Sequence, residues 1–161
     1  EYHEQLSDLS KDAVVCGFSL GAIVAAHAAD KLNAHSLILF GLNPYADDPD
    51  KKAGRLSLAL DVATQGGARA LEARNLDVYG PQPDVTLSSI LRMADDTAHL
   101  IEAQTQLALN RPGALPSLAN AKMPILCITG SKDQAAPPAQ GQAAAEAART
   151  ASGGSEGAVA H

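Results

Sequence analysis

Ser19 sits in Gly17-Phe18-Ser19-Leu20-Gly21, a serine with a glycine two positions to either side. A hydroxyl becomes a useful nucleophile when it is held exposed near a base and near N–H groups that can receive negative charge, and a sharp turn from strand to helix provides that setting. Small residues at Gly17 and Gly21 are expected to let the flanking segments approach each other. The N-terminus of the following helix offers free N–H groups and partial positive charge, with the Leu20 N–H as one oxyanion donor. The plainer alternative is a tight turn in which Ser19 only caps the helix.

A nucleophilic serine needs a base and a group to orient that base. Asp133 follows an apolar run, in the kind of loop where active sites of open parallel sheets lie. A carboxylate there can fix the tautomer of a histidine and stabilise its imidazolium. The alternative for Asp133 is a turn or cap aspartate before the helix start at Pro137-Pro138. The chain has five histidines, and the order serine, acid, base requires one downstream of Asp133. Only His161 qualifies, 28 residues further on. It would need a preceding strand at Gly157-Ala158-Val159-Ala160, a weak one, and the alternative is a terminal histidine within or before the last strand. His3, His27, His35 and His99 read as core-edge or surface residues.

These groups need elements to position them. Tyr2 to Ser10 is a short polar helix candidate. Ala13-Val14-Val15-Cys16, ending at Gly17, has the continuous apolar pattern of a buried parallel strand. The chain after Ser19 reads helical to about Leu32, with Ala22, Ala25, Ala26 and Ala29 suited to close packing on a sheet. Ser36 to Phe40 is a second buried strand stopped by Gly41, which completes a strand–helix–strand unit.

From residue 42 to 121 the pattern is helical. Asp47-Asp48-Pro49-Asp50 offers an N-cap, Leu56, Leu60 and Ala63 recur at helical spacing, and Gly66-Gly67 interrupts them. A short helix then runs to about Leu76, Tyr79 to Pro83 is loop, and Thr86 to Asn110 is helical, with Leu100, Ile101, Gln104, Leu107 and Ala108 on one face. Pro124 to Thr129 returns to strand, Gly130 to Asp133 turns, and a helix is expected from about Pro138 to Arg149. The chain therefore divides into a core segment with the serine turn (1–41), a helical insertion (42–121), a core strand with acid loop and helix (122–150), and a Ser/Gly-rich tail (151–161).

Composition narrows the classes. The 161 residues are 46% hydrophobic, enough for a core, but only 3% aromatic, so that core is aliphatic. The net charge is −6 and the cations are scattered, which gives no footprint for nucleic acid or an anionic membrane. The longest apolar stretch, about Ala22 to Ala29, is too short to span a bilayer, and no signal-peptide pattern is read at the N-terminus. Cys16 and Cys127 lie in strand-like runs outside any metal-ligand spacing, so both are expected as buried thiols of a reducing compartment. A cytoplasmic location is expected, with no metal and no cofactor.

The chain resembles the α/β-hydrolase superfamily, and within it small bacterial serine hydrolases similar to enol-lactone hydrolases, carboxylesterases and cofactor-free perhydrolases. The residues that carry the resemblance are Val14 to Gly21, the strand exit Leu39-Phe40-Gly41-Leu42-Asn43-Pro44, and Ile128-Thr129-Gly130-Ser131-Lys132-Asp133-Gln134-Ala135-Ala136-Pro137. It implies a partial parallel α/β-hydrolase sheet flanked by helices, with the insertion as a helical cap that roofs the active site. It further implies Ser19 as nucleophile, Asp133 as acid, His161 as base, Leu20 as oxyanion donor and a small-molecule ester or lactone as substrate. A serine nucleophile disfavours the dehalogenase and epoxide-hydrolase variants, which attack with aspartate, while carbon–carbon hydrolases and perhydrolases keep the serine.

Two departures from the family pattern stand out. The family has four strands before the serine turn, with a second oxyanion donor after the third, and a Gly-His loop followed by a helix at the end. The expectation is therefore a piece of a longer protein, with the serine-bearing strand at an open apolar edge. The alternative from a different class is a catalytically incomplete homologue acting as a binding or interaction module.

Overall fold

The computed structural model describes residues 9–78, 81–151 and 159–160. In chain order its elements are β1 (Val14–Phe18), α1 (Leu20–Ala28), β2 (Ser36–Phe40), a 3₁₀ turn (Pro49–Lys51), α2 (Lys52–Gln65), α3 (Gly67–Glu72) and α4 (Pro83–Asp96). A second 3₁₀ turn (Ala98–Leu100), α5 (Ile101–Ala108), α6 (Leu115–Ala119), β3 (Ile125–Ile128), α7 (Pro138–Ala151) and β4 (Val159–Ala160) follow. The chain forms two units, Glu1–Ala46 with Pro112–His161, and Asp47–Arg111. The helix candidate at Tyr2 to Ser10 falls almost wholly outside the described residues.

The first unit is a parallel sheet in the order β1-β2-β3-β4. Strands β1 to β3 end in one row, Phe18 beside Phe40 and Phe40 beside Ile128. Of the weak strand expected at Gly157–Ala160, Val159–Ala160 is present as β4, with Val159 beside Cys127 and Ala160 beside Ile128, and the other two residues lie outside the described ones. Side chains of a strand alternate between the two faces of a sheet. Leu37, Leu39, Ile125 and Cys127 fall on one face and are buried with Ala22, Ala25 and Ala26 of α1, Ala29 just after it, Leu118 of α6, and Ala144 and Ala145 of α7. The alanines recur at helical spacing and contribute almost no side-chain bulk, so α1 lies close against the sheet.

The opposite face differs from the reading of β1 as a buried strand. Val14 is 51% exposed and Phe18 75%, and Cys16 is exposed as well. An apolar run with no polar alternation cannot show by itself which face is covered, and among the described residues only the face toward the helices is. Helix α1 also stops at Ala28 in a turn at 29–31, short of the expected Leu32. Helix α6, which buries Leu118 completely, has no strong periodic signal in so short a segment.

The two thiols therefore differ. Cys127 is buried, and desolvation pushes its thiol up to about 11, whereas Cys16 lies on the exposed face. Only the thiolate reacts, and at pH 8 a group with that pKa is ionised in about one molecule per thousand. Iodoacetamide at pH 8 is expected to alkylate Cys16 in the folded protein and to reach Cys127 only in denaturant, read by peptide mass spectrometry. Equal labelling of both in the native state would contradict this burial.

In the second unit Asp48 accepts a hydrogen bond from the Asp50 N–H and Pro49 starts the first turn, as the sequence suggests. Gly66 breaks the helix with φ +90°, and the Asp95 carboxylate accepts the Ala68 N–H at 2.7 Å, capping α3 from α4. The continuous helix expected from Thr86 to Asn110 is instead two helices. The Thr97 hydroxyl donates back to the Met93 carbonyl at 2.7 Å, and the chain tightens into a 3₁₀ turn before α5.

The ends of this unit meet. The Asp47 N–H donates to the Arg111 carbonyl, and the Asp47 carboxylate accepts from Arg111 at 3.1 Å and Arg55 at 2.9 Å. The Asp47 and Arg111 side chains are only 5% and 6% exposed. Burial pushes the Arg111 pKa below the ordinary arginine value, opposed by the Asp47 charge. Removing one partner of such a pair leaves the other charge buried and alone, at a cost of about 3–5 kcal/mol. Asp47→Ala is therefore expected to lose that much stability in residues 47–111, read by hydrogen exchange of their amides, and Arg55→Ala to lose less because Arg55 is 30% exposed.

Candidate active site

Ser19 connects the last residue of β1 to the first of α1 with φ 51° and ψ −115°. A side-chain-bearing residue in that region carries strain of order 1–3 kcal/mol, which persists only where the surroundings fix it. Its N–H donates to the Phe40 carbonyl of β2 at 2.9 Å, and its carbonyl accepts from Ile23 in α1 at 3.1 Å. The strained residue is thus anchored at one end to the sheet and at the other to the helix. Ser19 is exposed, and its hydroxyl makes no capping bond to α1. Ser19 is thus the N-cap of α1 by position, without the side-chain cap that the plainer reading requires.

The glycines do different work from each other. A Cβ at Gly17 would lie 2.6 Å from the Ala22 Cα and 2.7 Å from the Gly21 carbonyl oxygen, so the crossing of β1 and α1 demands a residue without one. A Cβ at Gly21 would meet nothing within 4 Å, so the expected close approach belongs to Gly17 alone. Leu20 is the first residue of α1, where a backbone N–H has no intrahelical acceptor. No acidic side chain occupies that first turn, which leaves the positive end of the short helix uncompensated from within.

Asp133 is half-buried in the loop after β3. Its N–H closes a turn onto the Gly130 carbonyl at 3.0 Å, and its Oδ1 accepts from the Ala135 and Ala136 N–H groups at 2.9 and 2.8 Å. One carboxylate oxygen therefore shapes the loop, and Oδ2 stands outside that turn. Ser19 and Asp133 both follow strand ends of the same row, on β1 and β3 with β2 between them. His161 lies outside the described residues; it directly follows Ala160, the register partner of Ile128. His35 and His99 are exposed, His27 is half-buried on α1, and His3 also lies outside the described residues.

The sequence profile of the alpha/beta hydrolase family matches residues 1–157. The chain belongs to this family. No curated protein matches it in sequence. Among solved structures this alpha/beta hydrolase is similar to the enol-lactonase from Burkholderia xenovorans LB400, with a TM-score of 0.68 and 24% identity over 85% of this chain and 54% of that one. It is also similar to a thermophilic esterase from Thermogutta terrifontis, with a TM-score of 0.70 and 22% identity over 86% of this chain and 54% of that one. A third is an alpha/beta hydrolase enzyme from a Medee basin deep-sea metagenome library, with a TM-score of 0.67 and 18% identity over 85% and 54%. The chain spans just over half the length of these proteins, and at such identities the likeness is one of fold. Among the described residues no helix is long and apolar enough to cross a membrane.

The contrast between the two glycines of this alpha/beta hydrolase can be measured. Gly17→Ala forces backbone apart and is expected to cost at least about 1–3 kcal/mol. Gly21→Ala replaces a helical glycine in open space and should be neutral or stabilising by up to about 1 kcal/mol. Urea unfolding midpoints test both, and equal midpoints for the two variants would contradict the geometry.

Proposed function

We propose that this chain carries the nucleophile and acid of a serine hydrolase that cleaves carboxylic esters or lactones through an acyl-enzyme. The observation that carries the proposal is Ser19 itself: an exposed hydroxyl without a capping bond, on a backbone held at φ 51° between strand and helix. Family membership and the similarity to an enol-lactonase and an esterase support the choice of ester and lactone substrates.

In the proposed reaction Ser19 Oγ attacks the acyl carbon while its proton passes to the base, which we assign to His161. The Leu20 N–H donates to the oxygen that becomes negative. The bond from the acyl carbon to the alkoxy oxygen breaks, and the imidazolium returns the proton to the leaving alcohol, or to the freed hydroxyl of an opened lactone. Water then adds to the acyl-enzyme by the same proton relay, releasing the acid and restoring Ser19. The Asp133 carboxylate holds the imidazole and stabilises its charged form.

A fluorophosphonate probe tests the nucleophile directly. The folded chain is expected to be labelled once, at Ser19, with labelling abolished in Ser19→Ala and slowed by at least about 10³-fold in His161→Ala. A folded chain that takes up no probe would favour the catalytically incomplete binding module instead.

A further inference from the structure

We propose that Gly41 is a positioning residue for the acid: the missing Cβ at this point keeps Asp133 Oδ2 open to the base. The proposal rests on Asp133 being the acid of the reaction above. Gly41 follows β2 directly with φ +58°, and its N–H donates to the Ile128 carbonyl at the end of β3 at 2.9 Å. It is therefore fixed to the strand that leads to the acid loop. A Cβ built on Gly41 would lie 3.3 Å from Asp133 Oδ2, with no other atom nearer than 4 Å.

At that separation one partner must give by a few tenths of an ångström, and neither is free to. Gly41 is held by its bond to Ile128. Asp133 is held by its own N–H on Gly130, and its Oδ1 is gripped by the N–H groups of Ala135 and Ala136, the latter 3% exposed. Rotating the carboxylate away from a new methyl group lengthens those two bonds. The atom that a Cβ would crowd is the one oxygen outside the turn, the oxygen left to accept an imidazole N–H. A displaced or covered Oδ2 loses stabilisation of the imidazolium, a species that forms only as the reaction proceeds, so turnover falls while substrate binding is unchanged.

Gly41 carries two burdens that can be separated, a positive φ and an excluded Cβ. Alanine violates both. Asparagine tolerates positive φ well but still brings a Cβ. Gly66 gives a matched control in the other unit, with φ +90° and a Cβ position 3.4 Å from the Asp95 carboxylate.

The test is steady-state hydrolysis of p-nitrophenyl butyrate, with fluorophosphonate labelling rates, for the full chain and for Gly41→Ala, Gly41→Asn, Asp133→Asn and Gly66→Ala. Both Gly41 variants should lose on the order of 10- to 100-fold in kcat, with KM held within about twofold. Asp133→Asn should lose more, and Gly66→Ala should keep its kcat while melting at a lower temperature. Parent-like kcat in either Gly41 variant beside an inactive Asp133→Asn overturns the proposal, and recovery in Gly41→Asn alone would assign the effect to backbone strain. Full activity in Asp133→Asn removes instead the acid assignment on which the proposal stands.

Discussion

The backbone of Ser19 is the constraint around which the first unit is arranged. A residue with a side chain at φ 51° and ψ −115° relaxes unless something holds it, and here the holding is shared between two elements. The bond from the Ser19 N–H to the Phe40 carbonyl extends the β1–β2 ladder one residue beyond the strand, and the Ile23 N–H ties the other side of Ser19 into α1. The turn can close only because α1 comes down almost onto the sheet, which requires Gly17 in the strand and Ala22 in the helix. The alanines at positions 25 and 26, and Ala29 just past the helix end, carry the same close packing along α1. What looks like a composition bias toward alanine is thus part of the geometry that exposes one hydroxyl.

The parts of the structure that were legible in the sequence are those where local chemistry has a single solution. Strand β2 matches its expected limits, with Gly41 turning out of it at φ +58°, and the Asp48-Pro49 helix start has the expected cap. Other features depend on partners that no local pattern contains. The exposure of Val14, Cys16 and Phe18 is decided by which face α1 covers, and a run of apolar residues reads the same in either case. Thr97 divides a helix that periodicity joins, its backbone leaving helical geometry at φ −105° and ψ 7° before a 3₁₀ turn. The two glycines flanking Ser19 look equivalent in sequence, yet only Gly17 faces another backbone.

The site shows the same division. The serine turn and the acid loop were visible as motifs, and both occupy the predicted end of the sheet. In the sequence Gly41 shows itself as a strand terminator and as part of the Leu39–Pro44 strand exit that carries the family resemblance. Its relation to Asp133 depends on the parallel pairing of β2 with β3, two segments 85 residues apart at Phe40 and Ile125 that nothing local connects. A glycine after a strand is an ordinary stop signal, and nothing in its neighbours distinguishes one that ends a strand from one that also clears space for a carboxylate.

The register of the sheet also bears on the base in the proposed reaction. Parallel strands lie about 4.8 Å apart, so the ends of β1 and β3 are separated by about 10 Å across β2. Ser19 follows directly on one end, and Asp133 is carried past the other by a turn whose Oδ1 bonds are fully used in shaping it. The proposed reaction calls for a group with an acceptor toward the Ser19 hydroxyl and a donor toward the Asp133 carboxylate. An imidazole has that form. Within this sheet order the strand beyond β3 is β4, whose Ala160 stands beside Ile128, the last residue of β3. The proposal of His161 as that base rests on the order of residues in the chain, in which it alone of the five histidines follows Asp133.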